Sequence, residues 1–167
     1  MFEGVDEDDP EHVLAHVLVE GASGAHGVAE DGDHRVRHRA RGCRQAAHLR
    51  AAGTFAFDTE FIGENTYQPV LCLIQVATTE RVELIDPLAL DRAAMRPFWE
   101  LLADPALNKI CHAGDQDVEI AWLESGLAPQ NMFDTQIAAG MLGITYPTAL
   151  WRVVEHFTGI SLDKAHT

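Results

Sequence analysis

From residue 53 to residue 157 the chain alternates between a strand-like and a helix-like hydrophobic rhythm. Gly53-Thr54-Phe55-Ala56-Phe57 is an apolar lead-in of strand character, continued by the alternating Asp58-Thr59-Glu60-Phe61. Val70 to Ala77 (VLCLIQVA) is a second β-rich apolar run, turned by Thr78-Thr79-Glu80. Arg81 to Ile85 (RVELI) then alternates as a half-buried strand does, and Asp86-Pro87 ends it. Ala93 to Leu102 carries Met95, Phe98, Trp99 and Leu102 at helical spacing. Asn108 to His112 (NKICH) predicts a fourth strand, after which Gly114 opens a helix through Ser125 that Gly126 stops. A short strand around Met132-Phe133 leads into a helix from Thr135 to Leu142. Leu150 to Phe157 forms a last helix, bounded by Pro147 and Gly159. A meander of three strands followed by helix, strand, helix, strand, helix predicts an α/β fold, a mixed sheet flanked by helices.

The pattern does not extend to the N-terminus. Residues 1–50 contain no Ile, Lys, Thr, Asn, Tyr or Trp, and their only aromatic residue is Phe2. They hold six of the nine histidines, and runs such as Asp31 to Arg39 follow neither the 3.6 nor the 2.0 period. Residues 1–47 are therefore expected to be a disordered or poorly packed leader, with residues 48–167 as the folded domain. Cys43 to Ala52 is compatible with a helix that enters the first strand. His34, His38 and Cys43 lack the second cysteine that zinc spacing requires.

Composition narrows the class. The 167 residues are 47% hydrophobic, enough for one ordinary domain and its core. No apolar run approaches the ~18 residues of a membrane span, and the acidic start, Met1 to Asp9, is unlike a secretion signal. Three cysteines without paired spacing are expected to be reduced, Cys72 and Cys111 within the core, which together with the unsignalled start predicts a cytoplasmic protein. The net charge of −14 opposes non-specific attachment to a nucleic-acid backbone, but bound cations can supply positive charge locally.

The chemistry is concentrated in Asp58 and Glu60. Residues i and i+2 of a strand share a face, so the two carboxylates project together from Cα atoms roughly 6.5–7 Å apart. Such a pair repels unless a proton or cation lies between them, and oxygen-only ligation suits Mg²⁺ or Mn²⁺. A third carboxylate, Asp117, lies in the first turn of the predicted helix after the fourth strand, where the helix dipole favours negative charge. Asp115 competes for this role and fits better as the helix cap; Asp134 reads as the cap of the helix starting at Thr135.

Six ordered blocks make the chain resemble the ribonuclease D family of DEDD 3′–5′ exonucleases. They are FDTEF (57–61), TYQPVLCLIQVA (66–77), LIDPL (84–88), KICHAGDQDVE (109–119), FDTQIAAGMLG (133–143) and VVEHFTGISLDK (153–164). The resemblance implies a ribonuclease-H-like sheet and two-metal-ion hydrolysis of phosphodiesters at RNA 3′ ends, with tRNA precursors among the expected substrates. It assigns Asp58, Glu60 and Asp117 as catalytic, metal-binding residues and Mg²⁺ or Mn²⁺ as the ions. It also suggests Thr59, Phe61 and His112 as substrate contacts, whereas Tyr67, Gln75 and His112 all admit a purely structural reading. The family's third motif, a Tyr-x-x-x-Asp, finds no match before Thr167. The domain is thus expected to be incomplete at its C-terminus, with weak activity or none. Two alternatives stand beside this reading: a catalytically silent nucleic-acid-binding protein of the same fold, and a different metal-dependent phosphohydrolase.

Overall fold

The apolar lead-in at Thr54 becomes the middle of a five-stranded sheet. The computed structural model describes residues 44–63 and 69–161. Helix α1 (44–52) enters β1 (Thr54–Ile62), followed by β2 (Val70–Ala77), β3 (Val82–Ile85) and α2 (Arg92–Leu102). Then come β4 (Asn108–Cys111), α3 (Asp115–Ser125), β5 (Met132–Asp134), α4 (Thr135–Met141) and α5 (Leu150–Thr158). The strand order is β3-β2-β1-β4-β5. β1 runs antiparallel to β2 and parallel to β4, so the meander and the crossover half of the sheet meet on this one strand. A strand flanked on both edges and covered on both faces has little room for polar residues, and Phe55, Ala56 and Phe57 are all buried.

The core joins Phe55, Phe57, Ile74, Val76 and Ile85 of the sheet to Met95, Phe98, Trp99, Leu101 and Leu102 of α2. Burial of each large apolar side chain contributes about 1.5–3 kcal/mol. All four apolar positions that define the helical spacing of α2 are buried. Its first turn is capped by Asp91, whose carboxylate accepts the Ala94 N–H at 2.8 Å, which moves the helix start to Arg92. Replacing Asp91 with Ala should cost about 1 kcal/mol in urea denaturation, with no other effect.

Helix α1 is part of this unit. Gln45, itself buried, donates from Nε2 to Leu84 O (3.3 Å), His48 Nε2 lies 3.0 Å from the Thr78 hydroxyl, and Arg50 pairs with Asp104 at 2.7 Å. The packed domain therefore reaches back to residue 44, and the expected boundary between 47 and 48 falls inside a helix. The rest of the expected leader, 1–43, lies outside the described residues, as do Cys43, Tyr67 and the block 162–164.

Three expectations change. Cys111 is buried as expected, and burial, followed by the charges of Asp134 and Asp117, pushes its thiol up to about 12. Cys72 is not a core residue. Glu60 pairs with Leu73 and Phe61 with Leu71, which leaves Cys72 as the extra, half-exposed residue of a bulge. Nor does Asp115 cap α3. The cap residue is Gly114, which has no side chain to offer, and Asp115 is the first helical residue. The fourth strand also ends one residue early, because Ala113 takes a left-handed conformation (φ 56°) and places His112 in the turn. Among the described residues no helix is long and apolar enough to cross a membrane.

Candidate active site

The site forms where β1 outruns one of its neighbours. Pairing between β1 and β4 is registered from Thr54↔Asn108 to Ala56↔Ile110 and then stops. β1 continues, and its edge is completed from α3: Asp117 Oδ1 accepts the Thr59 N–H at 3.0 Å and also the Thr59 hydroxyl. A helix side chain thus takes the place of the missing strand as hydrogen-bond acceptor. Asp117 is buried in consequence, and the parallel edge of β1 is tied to the first turn of α3.

On the other edge, Asp58 pairs with Gln75 and Glu60 with Leu73, immediately before the bulge. A bulge bends the strand and increases its local twist, so the chain turns away just past the second carboxylate. Asp58 is half-buried and Glu60 exposed. Burial, then the charge of Asp117, then that of Glu60, pushes Asp58 up from its ordinary 3.8 to about 6, against a smaller opposing effect of the Thr59 backbone. Burial also raises Asp117, although its bonds from Thr59 work the other way. Asp58 and Asp117 thus sit within each other's field in a partly desolvated place.

The turn before α3 is held from the neighbouring strand. Cys111 pairs with Asp134, so the end of β5 lies beside the end of β4. Asp134 caps α4 as expected, accepting the N–H groups of Gln136 (2.8 Å) and Ile137 (3.3 Å). Its carboxylate also accepts from Ala113 N (3.1 Å) and Gly114 N (2.9 Å). These four backbone donors hold Asp134 below the usual carboxylate range despite the opposing effect of desolvation, the largest single influence. The sequence signals only the local half of this arrangement, because the other half exists only once β4 and β5 are paired.

His112 packs into the same region. Its Nε2 lies 3.0 Å from Thr148 O, an obligate acceptor, so this nitrogen carries the proton. Its Nδ1 faces the Thr135 hydroxyl at 2.8 Å. Burial lowers the imidazole pKa, partly opposed by the Thr148 bond and by Asp134. Gln136 Nε2 reaches the same Thr148 carbonyl (2.9 Å), fastening the α4–α5 loop to the turn. Of the residues expected at the substrate, Thr59 and His112 thus have their polar side-chain atoms committed within the protein. Phe61 keeps a half-buried ring against the core edge, and Gln75 is the registered partner of Asp58.

Among the described residues no three of His, Cys, Asp and Glu are close enough together to hold one ion. The donor chemistry nonetheless fits a hard divalent cation. Burial raises the protonation of both Asp58 and Asp117, the charges of Asp117 and Glu60 add to it at Asp58, and a cation would offset the buried charge as a proton does.

Comparison with known proteins gives the family and the fold. Residues 43–167 match the family model described as 3′–5′ exonuclease. Ribonuclease D of Granulibacter bethesdensis is 46% identical over 118 residues, covering 71% of this chain and 30% of that protein. The crystal structure of Escherichia coli RNase D, described as an exoribonuclease involved in structured RNA processing, superposes with a TM-score of 0.68. It has 36% identity and covers 74% of this chain and 32% of that one. The catalytic core of RRP6 from Trypanosoma brucei gives a TM-score of 0.64 at 30% identity, over 73% of this chain and 33% of that one. The chain thus spans about a third of the length of these relatives. With its family model, its sheet and its sequence similarity in agreement, the chain belongs to the ribonuclease D family of 3′–5′ exonucleases.

Proposed function

We propose that this domain removes nucleotides from RNA 3′ ends, tRNA precursors among them, in the cytoplasm. In this reading Asp58, Glu60 and Asp117 are the metal-binding carboxylates, with Mg²⁺ or Mn²⁺ as the ions. The observation that carries it is the meeting of Asp117, bonded to Thr59 from α3, with Asp58 and Glu60 on either side of Thr59 in β1, where burial and then the charges of Asp117 and Glu60 push Asp58 up to about 6. Members of this family generally work with divalent metals. Asp58, Glu60 and Asp117 would hold such ions, which would supply an activated water and offset the charge on the leaving 3′ oxygen.

The protein's own part is to hold the carboxylates where charge must be neutralised. Thr59 fixes one oxygen of Asp117. Burial and mutual repulsion keep Asp58 ready to exchange a proton for a cation, and exposed Glu60 provides an adaptable donor on the open side. We assign Phe61 to the substrate as an apolar contact beside the bulge. His112 and Thr59 serve the substrate by holding the frame, since their polar atoms already have protein partners.

The test is calorimetric titration with Mn²⁺, followed by an assay on RNA labelled at either end. Stepwise loss from the 3′ end that depends on Mn²⁺ is the expected result. The rate should be low, because two ions and a positioned water ask for more ligands than the crowded carboxylates supply. Mn²⁺ uptake without turnover would favour a silent nucleic-acid-binding protein. Cleavage of free nucleotides but not RNA would favour another phosphohydrolase, and no uptake at all would remove the metal site.

A further inference from the structure

Asp134 does more than a helix cap requires. A cap residue satisfies donors of its own helix, and Asp134 does this for α4 through Gln136 and Ile137. Its other two bonds go to Ala113 and Gly114, which belong to a different junction twenty residues earlier in the chain. That junction has two features needing outside support. Ala113 is a non-glycine residue at φ 56°, a conformation that costs an L-residue about 1–2 kcal/mol. Gly114 opens α3 with no side-chain cap. Three residues further on, Asp117 engages Thr59.

We propose that Asp134 is a positioning residue for Asp117: by accepting from Ala113 and Gly114 it fixes the left-handed turn that delivers the first turn of α3 to the free edge of β1. The inference rests on the reading of Asp117 as a functional carboxylate, yet its geometric part can be measured without any metal. Removing the cross-junction bonds lets the turn relax. Asp117 then loses its register on Thr59 while the sheet and α4 stay formed.

Asp134→Ser separates the two roles. Serine is as good a helix cap as aspartate, but it is one atom shorter and has a single oxygen, so it keeps α4 and lets go of the turn. The direct readout is hydrogen exchange of the Thr59 amide in the full chain. In Asp134→Ser its protection should fall by about tenfold or more while amides of α2 and β2 keep theirs. A second substitution, Ala113→Gly, removes the conformational penalty and should restore part of that protection in the Asp134→Ser background. Asp91→Ala, a cap loss elsewhere, should leave Thr59 unchanged. Mn²⁺ affinity, read in parallel, should drop about 10–100-fold in Asp134→Ser, as for other residues that orient a metal ligand.

Unaltered Thr59 protection in Asp134→Ser overturns the proposal, as does equal loss in Asp91→Ala or a glycine at 113 that rescues nothing. Should Asp134→Ser fail to fold, Ala113→Gly alone decides: the proposal requires Thr59 protection at least equal to that of the parent, and a loss refutes it. A parent chain that takes up no Mn²⁺ would sink the metal reading, while Thr59 protection would still decide whether Asp134 holds the turn.

Discussion

Asp58→Asn should make the metal-free chain more stable at neutral pH while abolishing its affinity for Mn²⁺. The folded state raises Asp58 from 3.8 to about 6, so it binds this proton more tightly than the unfolded chain does. The stabilisation that this proton gives is fully present below about pH 3.8 and is lost as pH rises through about 6. Above that, the folded protein carries a partly buried ionised carboxylate in the field of Asp117 and Glu60. The difference corresponds to about 3 kcal/mol, reduced to about 1–2 kcal/mol by solvent screening at this partly open position. An amide of the same shape carries no charge, so the variant should melt several degrees higher than the parent at about pH 7.5 and nearly level with it at about pH 4. In the RNA assay the same variant should lose several orders of magnitude, since members of a cooperating catalytic set fail together. A variant that is less stable than the parent at neutral pH would show that the crowding is absent.

Gly114→Ala should be the most damaging of the small substitutions. The backbone at Gly114 (φ −84°, ψ 22°) is open to any residue, so conformation is not the obstacle. Space is: an added Cβ would lie 2.5 Å from Cys111 Sγ and 2.8 Å from Cys111 Cβ, and 3.6 Å from Asp117 Oδ2. Cys111 is buried and cannot swing away. Either β4 or the start of α3 must move, at about 1–3 kcal/mol, or about 4–12 °C in Tm for a domain of this size. Because the displaced element carries Asp117, Mn²⁺ affinity should fall along with stability. Cys111→Ala in the same background removes the closer contact and should recover part of the stability. A Gly114→Ala variant that melts with the parent would mean the turn is looser than it stands here.

The parts that are legible in the sequence have local causes. The central strand stands out because burial on both faces leaves an unbroken apolar run, and α2 because Met95, Phe98, Trp99 and Leu102 share one face. Asp134 is legible as a cap because a cap bonds within its own turn. The parts that are not legible depend on elements meeting. The bulge at Cys72 follows from how β2 registers on β1, and nothing in VLCLIQVA marks the odd residue. The sequence points to Asp115 as the cap of α3, but the donors near that helix are answered by Asp134, which only the β4–β5 pairing brings within reach. Thr59 and Asp117 are 58 positions apart in sequence, and only the end of the β1–β4 ladder explains why they bond.

The edge of β1 that Asp117 completes also bears on how this domain would decay. Beside the ligand role proposed for it, Asp117 is architecture: without it the Thr59 amide loses its bond to α3, and α3 its hold on the sheet. Asp58 ties no helix to the sheet, and once ionised in its partly buried place it opposes folding. If selection on catalysis were relaxed, drift would meet unequal resistance at the two positions. Substitutions at Asp58 would be welcomed by the fold, and those at Asp117 would be purged even with no reaction left to protect. Silent descendants of such a domain should therefore shed the first carboxylate early and retain the buried one long afterwards, so an aspartate at this helix start is poor testimony that an enzyme is still at work.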